Sequence, residues 1–210
     1  MRLRYKPWAI PEMEENAYIT FEPKQYAGSW HALFENNHPI YVEIGSGKGK
    51  FLQTMSERHP DTNYVGIEMD TNAFIYAARK LKEAGHFNVR GIAGNANAID
   101  EYFGKDEVAG IYINFCNPWP KKRHHKRRLT HPRFLEKYKQ ILQPGSYIEL
   151  KTDDLDFFEA SLEYFKDEGF SLEDYTFDMK TEDYPDAIIT EYESKWRSRG
   201  IPIKYVKARL

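Results

Sequence analysis

Five short apolar runs, separated by stretches of helical spacing, limit the folds open to this chain more than any other feature. Tyr41-Val-Glu-Ile44, Tyr64-Val-Gly-Ile67, Val89-Arg-Gly-Ile-Ala93, Gly110–Phe115 and Tyr147-Ile-Glu-Leu150 each have the length and composition of a buried strand. Between them, Phe51, Leu52 and Met55 share one helical face before Pro60. Phe74, Ala77, Ala78 and Leu81 share another, and Gly85 is placed to cap that helix at its C-terminus. A further helix is expected from about Pro132 to Leu142, ending at Pro144-Gly145. Repeated β-α units of this length predict an α/β fold with a parallel sheet covered by helices on both faces. After a helix near Leu155–Lys166, Phe170–Phe177 and Ile203–Lys207 read as two last strands, which brings the expected sheet to seven. Residues 1–22 lack periodicity and are expected to form a flexible or draped arm, with residues 23–210 as one domain.

The first strand runs into Gly45-Ser-Gly-Lys-Gly49, where glycines let the backbone turn sharply and approach a ligand. A helix N-terminus follows, a favourable place for polar or anionic groups. A Walker A loop does not fit, because Gly49 and not Ser or Thr follows Lys48. The dinucleotide pattern G-x-G-x-x-G does not fit either, since the spacing here is G-x-G-x-G, and Glu43 would oppose a pyrophosphate. S-adenosylmethionine carries a positive sulfonium and an amino group and no phosphate, so an acid at position 43 suits it. Glu68, ending the second strand, suits the ribose hydroxyls of an adenosyl cofactor, and Asn95-Ala96 after the third strand could contact adenine. A glycine loop alone would equally serve a tight βα turn. The ordered set of acid, glycines, acid and Asn-Ala favours a methyltransferase.

The fourth strand delivers Asn117-Pro-Trp-Pro120, a rigid turn, and then Lys121-Lys-Arg-His-His-Lys-Arg-Arg128. Open α/β sheets bind ligands at this end of their strands, so a polyanion-binding lip beside a reaction centre points to chemistry on nucleic acid. The formal net charge is −2, which excludes a bulk basic protein. Positive charge is instead concentrated at Arg2-Leu-Arg4-Tyr-Lys6, at Lys121–Arg128 and from Lys195 to Arg209, and one such face suffices for nucleic-acid binding. His124 and His125 read as RNA-facing residues, because no acid–His cluster at ligand spacing accompanies them, and no metal is expected. The single cysteine, Cys116, excludes an intramolecular disulfide. With no signal peptide and no apolar stretch of membrane-spanning length, the chain reads as cytosolic; monomer and homodimer both remain open.

Together, Val42-Glu-Ile-Gly-Ser-Gly-Lys-Gly-Lys-Phe51, Gly66-Ile-Glu68, Pro118-Trp-Pro-Lys-Lys-Arg-His-His-Lys-Arg-Arg128 and Thr190-Glu-Tyr-Glu193 resemble the bacterial tRNA (guanine-N7-)-methyltransferases. The resemblance runs from about Trp30 to the C-terminus, and its Pro-Trp-Pro-basic segment is highly specific. It implies a Rossmann-like class I methyltransferase fold with a reversed last strand, S-adenosylmethionine as cofactor, tRNA as partner, and methylation of guanine N7 at position 46 in the variable loop. It further implies that Glu43, Glu68, Asn95 and Asn117 hold the cofactor, beside Gly45, Gly47, Gly49 and Ala96. Lys121, Asp153, Thr190, Glu191, Tyr192 and Glu193 would hold the guanosine, and Arg123, His124, His125, Lys126, Arg127 and Arg128 would contact RNA. The chain departs from the family at Asn117, where Asp-Pro-Trp is usual and the aspartate is the usual catalytic or electrostatic candidate.

Guanine N7 is an sp² lone pair without a proton, so its methylation needs alignment and no general base. Two rivals follow from Asn117. Asn-Pro-Trp-Pro loosely resembles the Asn-Pro-Pro-aromatic turn of amino-methyltransferases, in which the Asn carbonyl accepts from a target –NH₂. A non-catalytic tRNA-binding scaffold is the other. Two of the implied substrate groups have competing structural roles. Asp153 or Asp154 would cap the helix from Leu155, and Thr190 with Glu193 matches a capping box for a helix reaching about Arg199.

Overall fold

The computed structural model describes residues 5–210. Its elements follow the chain as α1 (Ala9–Glu14), β1 (Ile19–Thr20), α2 (Trp30–Phe34), β2 (Ile40–Ile44), α3 (Lys50–Arg58), β3 (Asn63–Glu68), α4 (Thr71–Ala84) and β4 (Val89–Ala93). The second half continues with α5 (Ile99–Tyr102), β5 (Val108–Asn114), α6 (Pro132–Ile141), β6 (Leu142–Thr152), α7 (Leu155–Asp167), β7 (Ser171–Thr176), α8 (Glu191–Arg197) and β8 (Lys204–Arg209). One sheet has the order β1-β4-β3-β2-β5-β6-β8-β7, parallel except that β8 runs against both β6 and β7. The last strand is therefore reversed, as the resemblance implies. The sheet has eight strands rather than seven. The additional strand is Ile19–Thr20, paired to Gly91 and Ile92, and two residues leave no alternation to read in a sequence.

Alternation along the strands divides the core between the two faces. Val42, Ile44, Val65, Ile67, Ile111, Ile113, Ile148 and Leu150 point to the face covered by α5, α6 and α7, whose Phe134, Leu135, Phe157 and Phe158 meet them. Tyr64 and Tyr112 point the other way, toward Phe51 and Leu52 of α3 and Leu81 of α4. Glu43, between Val42 and Ile44, is thereby set on the second face near its open end.

The described part of the expected N-terminal arm is packed onto the fold. Ala9 and Met13 of α1 lie against Phe74, Ile75, Ala77 and Ala78 of α4, and Asn16 Nδ2 donates to the Ala78 carbonyl at 2.8 Å. Arg2 and Arg4 lie outside the described residues.

β2 is flanked by β3 on one side and β5 on the other, so chain order reverses between β2 and β5. At such a switch point the loops after the two strands diverge to opposite faces and open a crevice. Here those loops are the glycine segment after Ile44 and the turn after Asn114.

Candidate active site

Gly45, Gly47 and Gly49 all have left-handed φ, +84°, +53° and +74°. A Cβ at Gly49 would meet Ala77 Cβ at 2.7 Å, so this glycine lets α3 approach α4. Cβ atoms at Gly45 and Gly47 would enter open space, so these two glycines keep a ligand's side clear. The loop is tied to β3 by Gly45 N–H donating to the Ile67 carbonyl at 2.8 Å, and by Gly47 N–H donating to Glu68 Oε2 at 3.0 Å.

Glu43 is 3% exposed. Its Oε1 accepts from Asn114 Nδ2 at 3.1 Å, while the buried Oε2 has no partner. Burial pushes its carboxyl up to about 8, against the opposing Asn114 hydrogen bond and with a further rise from Glu68. Glu43 lines a cleft of about 380 Å³ together with the glycine loop, Phe51, Phe115 and Thr190–Tyr192. A second cleft of about 650 Å³ shares Gly45 and Phe115 with the first and is walled by Glu68, Asn95, Ala96, Asn117, Trp119 and Arg133. Asn95 caps the turn after β4, its side-chain carbonyl accepting from Asn97 N–H at 2.9 Å. All eight cofactor residues expected from sequence thus line these two clefts, and Gly49 also packs on α4. This donor set fits S-adenosylmethionine. An orphaned carboxylate oxygen suits a cationic group, a second carboxylate suits a diol, and Ile67, Phe115 and Phe134 supply apolar wall beside them.

The turn after β5 places Phe115 and Trp119 at φ +53° and +48°. Asn117 Oδ1 accepts from the Trp119 N–H at 3.0 Å, an Asx turn. Asn117 is exposed and lines the second cleft. Trp119 is half-buried between His124, edge-on at 5.7 Å, and the Arg127 guanidinium, 5.0 Å from its ring centroid. Cys116 is half-buried against core side chains, and the desolvation there pushes its thiol up to about 12 and leaves it protonated.

The basic run forms a 3₁₀ helix, Lys122–Arg127, with Lys121 at its N-cap. Lys121, Lys122, Arg123, Lys126 and Arg127 are exposed, and His124 and His125 are half-buried. Desolvation, then Arg127, Arg123 and Lys121, hold His124 below the usual imidazole range. Arg128 departs from the expected RNA set: it is fully buried and bonded inside the fold, so it has no surface to offer a phosphate. Among the described residues, no group of three or more His, Cys, Asp and Glu side chains is arranged to hold a metal ion.

Asp154 is the N-cap of α7, its Oδ1 accepting from Phe157 N–H at 2.8 Å, and this leaves the Asp153 carboxylate uncommitted. Thr190 caps α8 by accepting from Glu193 N–H at 3.1 Å. Glu193 does not complete a capping box. Its fully buried carboxylate accepts from Arg197 Nη2 at 2.7 Å and from Lys151 Nζ at 3.4 Å, so it anchors α8 and is closed to a substrate. Glu191 and Tyr192 face the first cleft, Tyr192 lying 5.4 Å from Phe115. Lys121 and Asp153 line neither cleft. Sequence reasoning missed Asn114, the partner of Glu43, and Arg133 and Asn97, which join side chains across the second cleft. Asn114 carried a signal, since it closes a strand beside the strand that holds Glu43.

Residues 37–206 match the family described as "Putative methyltransferase". The tRNA (guanine-N(7)-)-methyltransferases of Clostridium tetani and Clostridium acetobutylicum are each 48% identical to this chain over 210 residues, covering all of both proteins. That of Clostridium botulinum is 45% identical over 216 residues, again at full coverage. Among solved structures, the 16S rRNA methyltransferase KamB superposes with a TM-score of 0.67 at 13% identity, covering 86% of this chain and 92% of that one. A SAM-dependent methyltransferase from Aquifex aeolicus superposes with a TM-score of 0.58 at 16% identity, covering 98% and 99%. These structures share the fold. Identity near one half over the full length goes further, and the chain belongs to the tRNA (guanine-N(7)-)-methyltransferase family.

Proposed function

We propose that this protein transfers the methyl group of S-adenosylmethionine to N7 of guanine in tRNA, with position 46 of the variable loop as its target. One juxtaposition carries the reading. A buried carboxylate oxygen without a partner, on Glu43, and the Asn117 turn stand at two adjacent clefts that share Gly45 and Phe115, and the exposed basic helix continues directly from that turn. The names of the full-length relatives support the same reaction.

S-adenosylmethionine, when bound, supplies an electrophilic methyl on a positively charged sulfur. Glu43 pairs with the cationic end of that cofactor, Glu68 accepts from its ribose, and Asn95 and Ala96 flank its adenine. Phe115 and Tyr192 form a wall against which a planar base is held. Because N7 already presents a lone pair, no side chain has to remove a proton, and alignment supplies on the order of 7–11 kcal/mol. An amide at position 117 is compatible with that requirement.

The same amide weakens the exocyclic-amine alternative. That chemistry needs the Asn carbonyl to accept from the target –NH₂, and here one of the two lone pairs of that carbonyl is already taken by Trp119 N–H. A non-catalytic scaffold has no use for the open glycine loop or the orphaned Glu43 oxygen. Lys122, Arg123, Lys126 and Arg127 are the proposed phosphate contacts, with Lys121, Asp153, Glu191 and Tyr192 toward the guanosine. No helix among the described residues is long and apolar enough to cross a membrane, and we place the enzyme with its tRNA in the cytoplasm, as a monomer or homodimer.

The site of methylation is tested with label from the cofactor methyl group, using an unmodified tRNA transcript and one carrying adenosine at position 46. Label on the first and none on the second is the expected result. Equal labelling of both would reject position 46.

A further inference from the structure

We propose that Arg128 is a positioning residue for methyl transfer, holding the turn that carries Asn117, and that it makes no contact with tRNA. The proposal rests on the function proposed above and concerns the same site. In sequence Arg128 is the last member of a cationic run and cannot be told from its neighbours. In the fold it is 0% exposed, whereas Lys126 and Arg127 beside it are exposed.

Its partners lie inside the protein. Nε donates to the Pro118 carbonyl at 2.8 Å, and Nη2 donates to the Asp156 carboxylate at the first turn of α7. The guanidinium also lies 5.6 Å from the ring centroid of Phe157. The Pro118 carbonyl belongs to the Pro118–Trp119 peptide, so the hydrogen bond fixes the turn one residue beyond Asn117, the residue nearest the proposed chemistry. The turn needs fixing. Phe115 and Trp119 both sit in the left-handed region, and side chains there persist only where their surroundings hold them. The Asn117–Trp119 hydrogen bond and the Arg127–Trp119 stack act within the 115–127 segment itself. Arg128 ties the turn to α7, through Asp156 and Phe157. The planar guanidinium holds its Nε–H and Nη2–H in a fixed fork matched to these two acceptors, a geometry that the freely rotating ammonium of a lysine does not reproduce.

The experiment compares Arg128→Lys, Asp156→Asn and the exposed neighbour Arg127→Ala, each checked for folding by its melting temperature. tRNA affinity is measured across a salt series. Methyl transfer is measured in single turnover at saturating tRNA and S-adenosylmethionine. Arg127→Ala is expected to weaken tRNA binding and make the log–log salt slope shallower by about 0.7–0.9. Arg128→Lys is expected to lower the saturated rate roughly ten- to hundredfold, with tRNA affinity held within about twofold and the salt slope unchanged. Asp156→Asn removes only the charge of a side chain that is 72% exposed and keeps an oxygen to accept from Arg128, so it is the milder change and decides the matter if Arg128→Lys does not fold. It is expected to slow the saturated rate without weakening tRNA binding.

Weaker, less salt-sensitive tRNA binding by Arg128→Lys at an undiminished saturated rate would make Arg128 an RNA contact and overturn the proposal. So would folded variants at both positions with undiminished rates. An unaltered protein that forms no 7-methylguanosine would instead reject the underlying function, and the salt series alone would then decide whether Arg128 touches RNA.

Discussion

Glu43 combines a buried carboxylate with one satisfied oxygen and one unsatisfied oxygen. Burial raises its carboxyl to about 8, above the ordinary carboxylate range. In that window the folded chain therefore holds a proton that the unfolded chain has lost. Its contribution to stability is complete at acid pH and fades as pH rises through about 8. A cationic ligand reverses the preference by favouring the ionised form. S-adenosylmethionine affinity should then rise between pH 6 and pH 8 by up to about tenfold per pH unit and level off above. Titration calorimetry across that range checks it, and Glu43→Gln should bind weakly with little pH slope. Asn117 lines the second cleft, its oxygen accepting from Trp119 N–H. In Asn117→Asp one carboxylate oxygen can keep that bond while the other faces the purine as it becomes cationic. Turnover is expected to rise or stay level, by less than the roughly 3–4 kcal/mol of a fully preorganised group. A severe loss in steady-state rate would show that the amide N–H is required.

Among the elements, the glycine loop separates packing from binding within five residues. Gly49→Ala meets Ala77 at 2.7 Å and must hold φ +74°, so it strains the contact between α3 and α4. The expected loss is about 2 kcal/mol or more, a fall of roughly 4–8 °C in melting temperature. Gly47→Ala at φ +53° meets no protein atom, so its main effect should be on cofactor affinity. Melting curves and cofactor titrations of the two variants test this contrast. The main strands and helices were legible because their apolar spacing is long enough to set a period. β1 was not, at two residues, and neither was the docking of α1, whose two buried side chains Ala9 and Met13 make no pattern by themselves. The residues that line the two clefts were legible where they lie in or just beyond the last residues of a strand, as at Glu43, Glu68, Asn95 and Asn117. Arg128 and Glu193 were misplaced for one reason: each is buried by partners far away in sequence, Asp156 for the first and Lys151 for the second. A linear charge run records neither contact.

At the scale of the whole molecule, a formal net charge of −2 leaves little long-range attraction for RNA, so binding depends on where the positive charge is gathered. The fold gathers Lys121, Lys122, Arg123, Lys126 and Arg127 on one exposed helix and its cap, beside the second cleft. If Lys122, Arg123, Lys126 and Arg127 each neutralise one phosphate, this helix contributes a log–log salt slope of about −2.8 to −3.6, measurable by binding titrations at several salt concentrations. A slope near zero would mean that tRNA is held by another surface. The central claim concerns the atom that is methylated, and digestion of tRNA after incubation with S-adenosylmethionine, followed by nucleoside mass spectrometry, tests it most directly. The expected product is 7-methylguanosine. A nucleoside methylated on an exocyclic amine, or no methylated nucleoside from protein that binds both cofactor and tRNA, would contradict it.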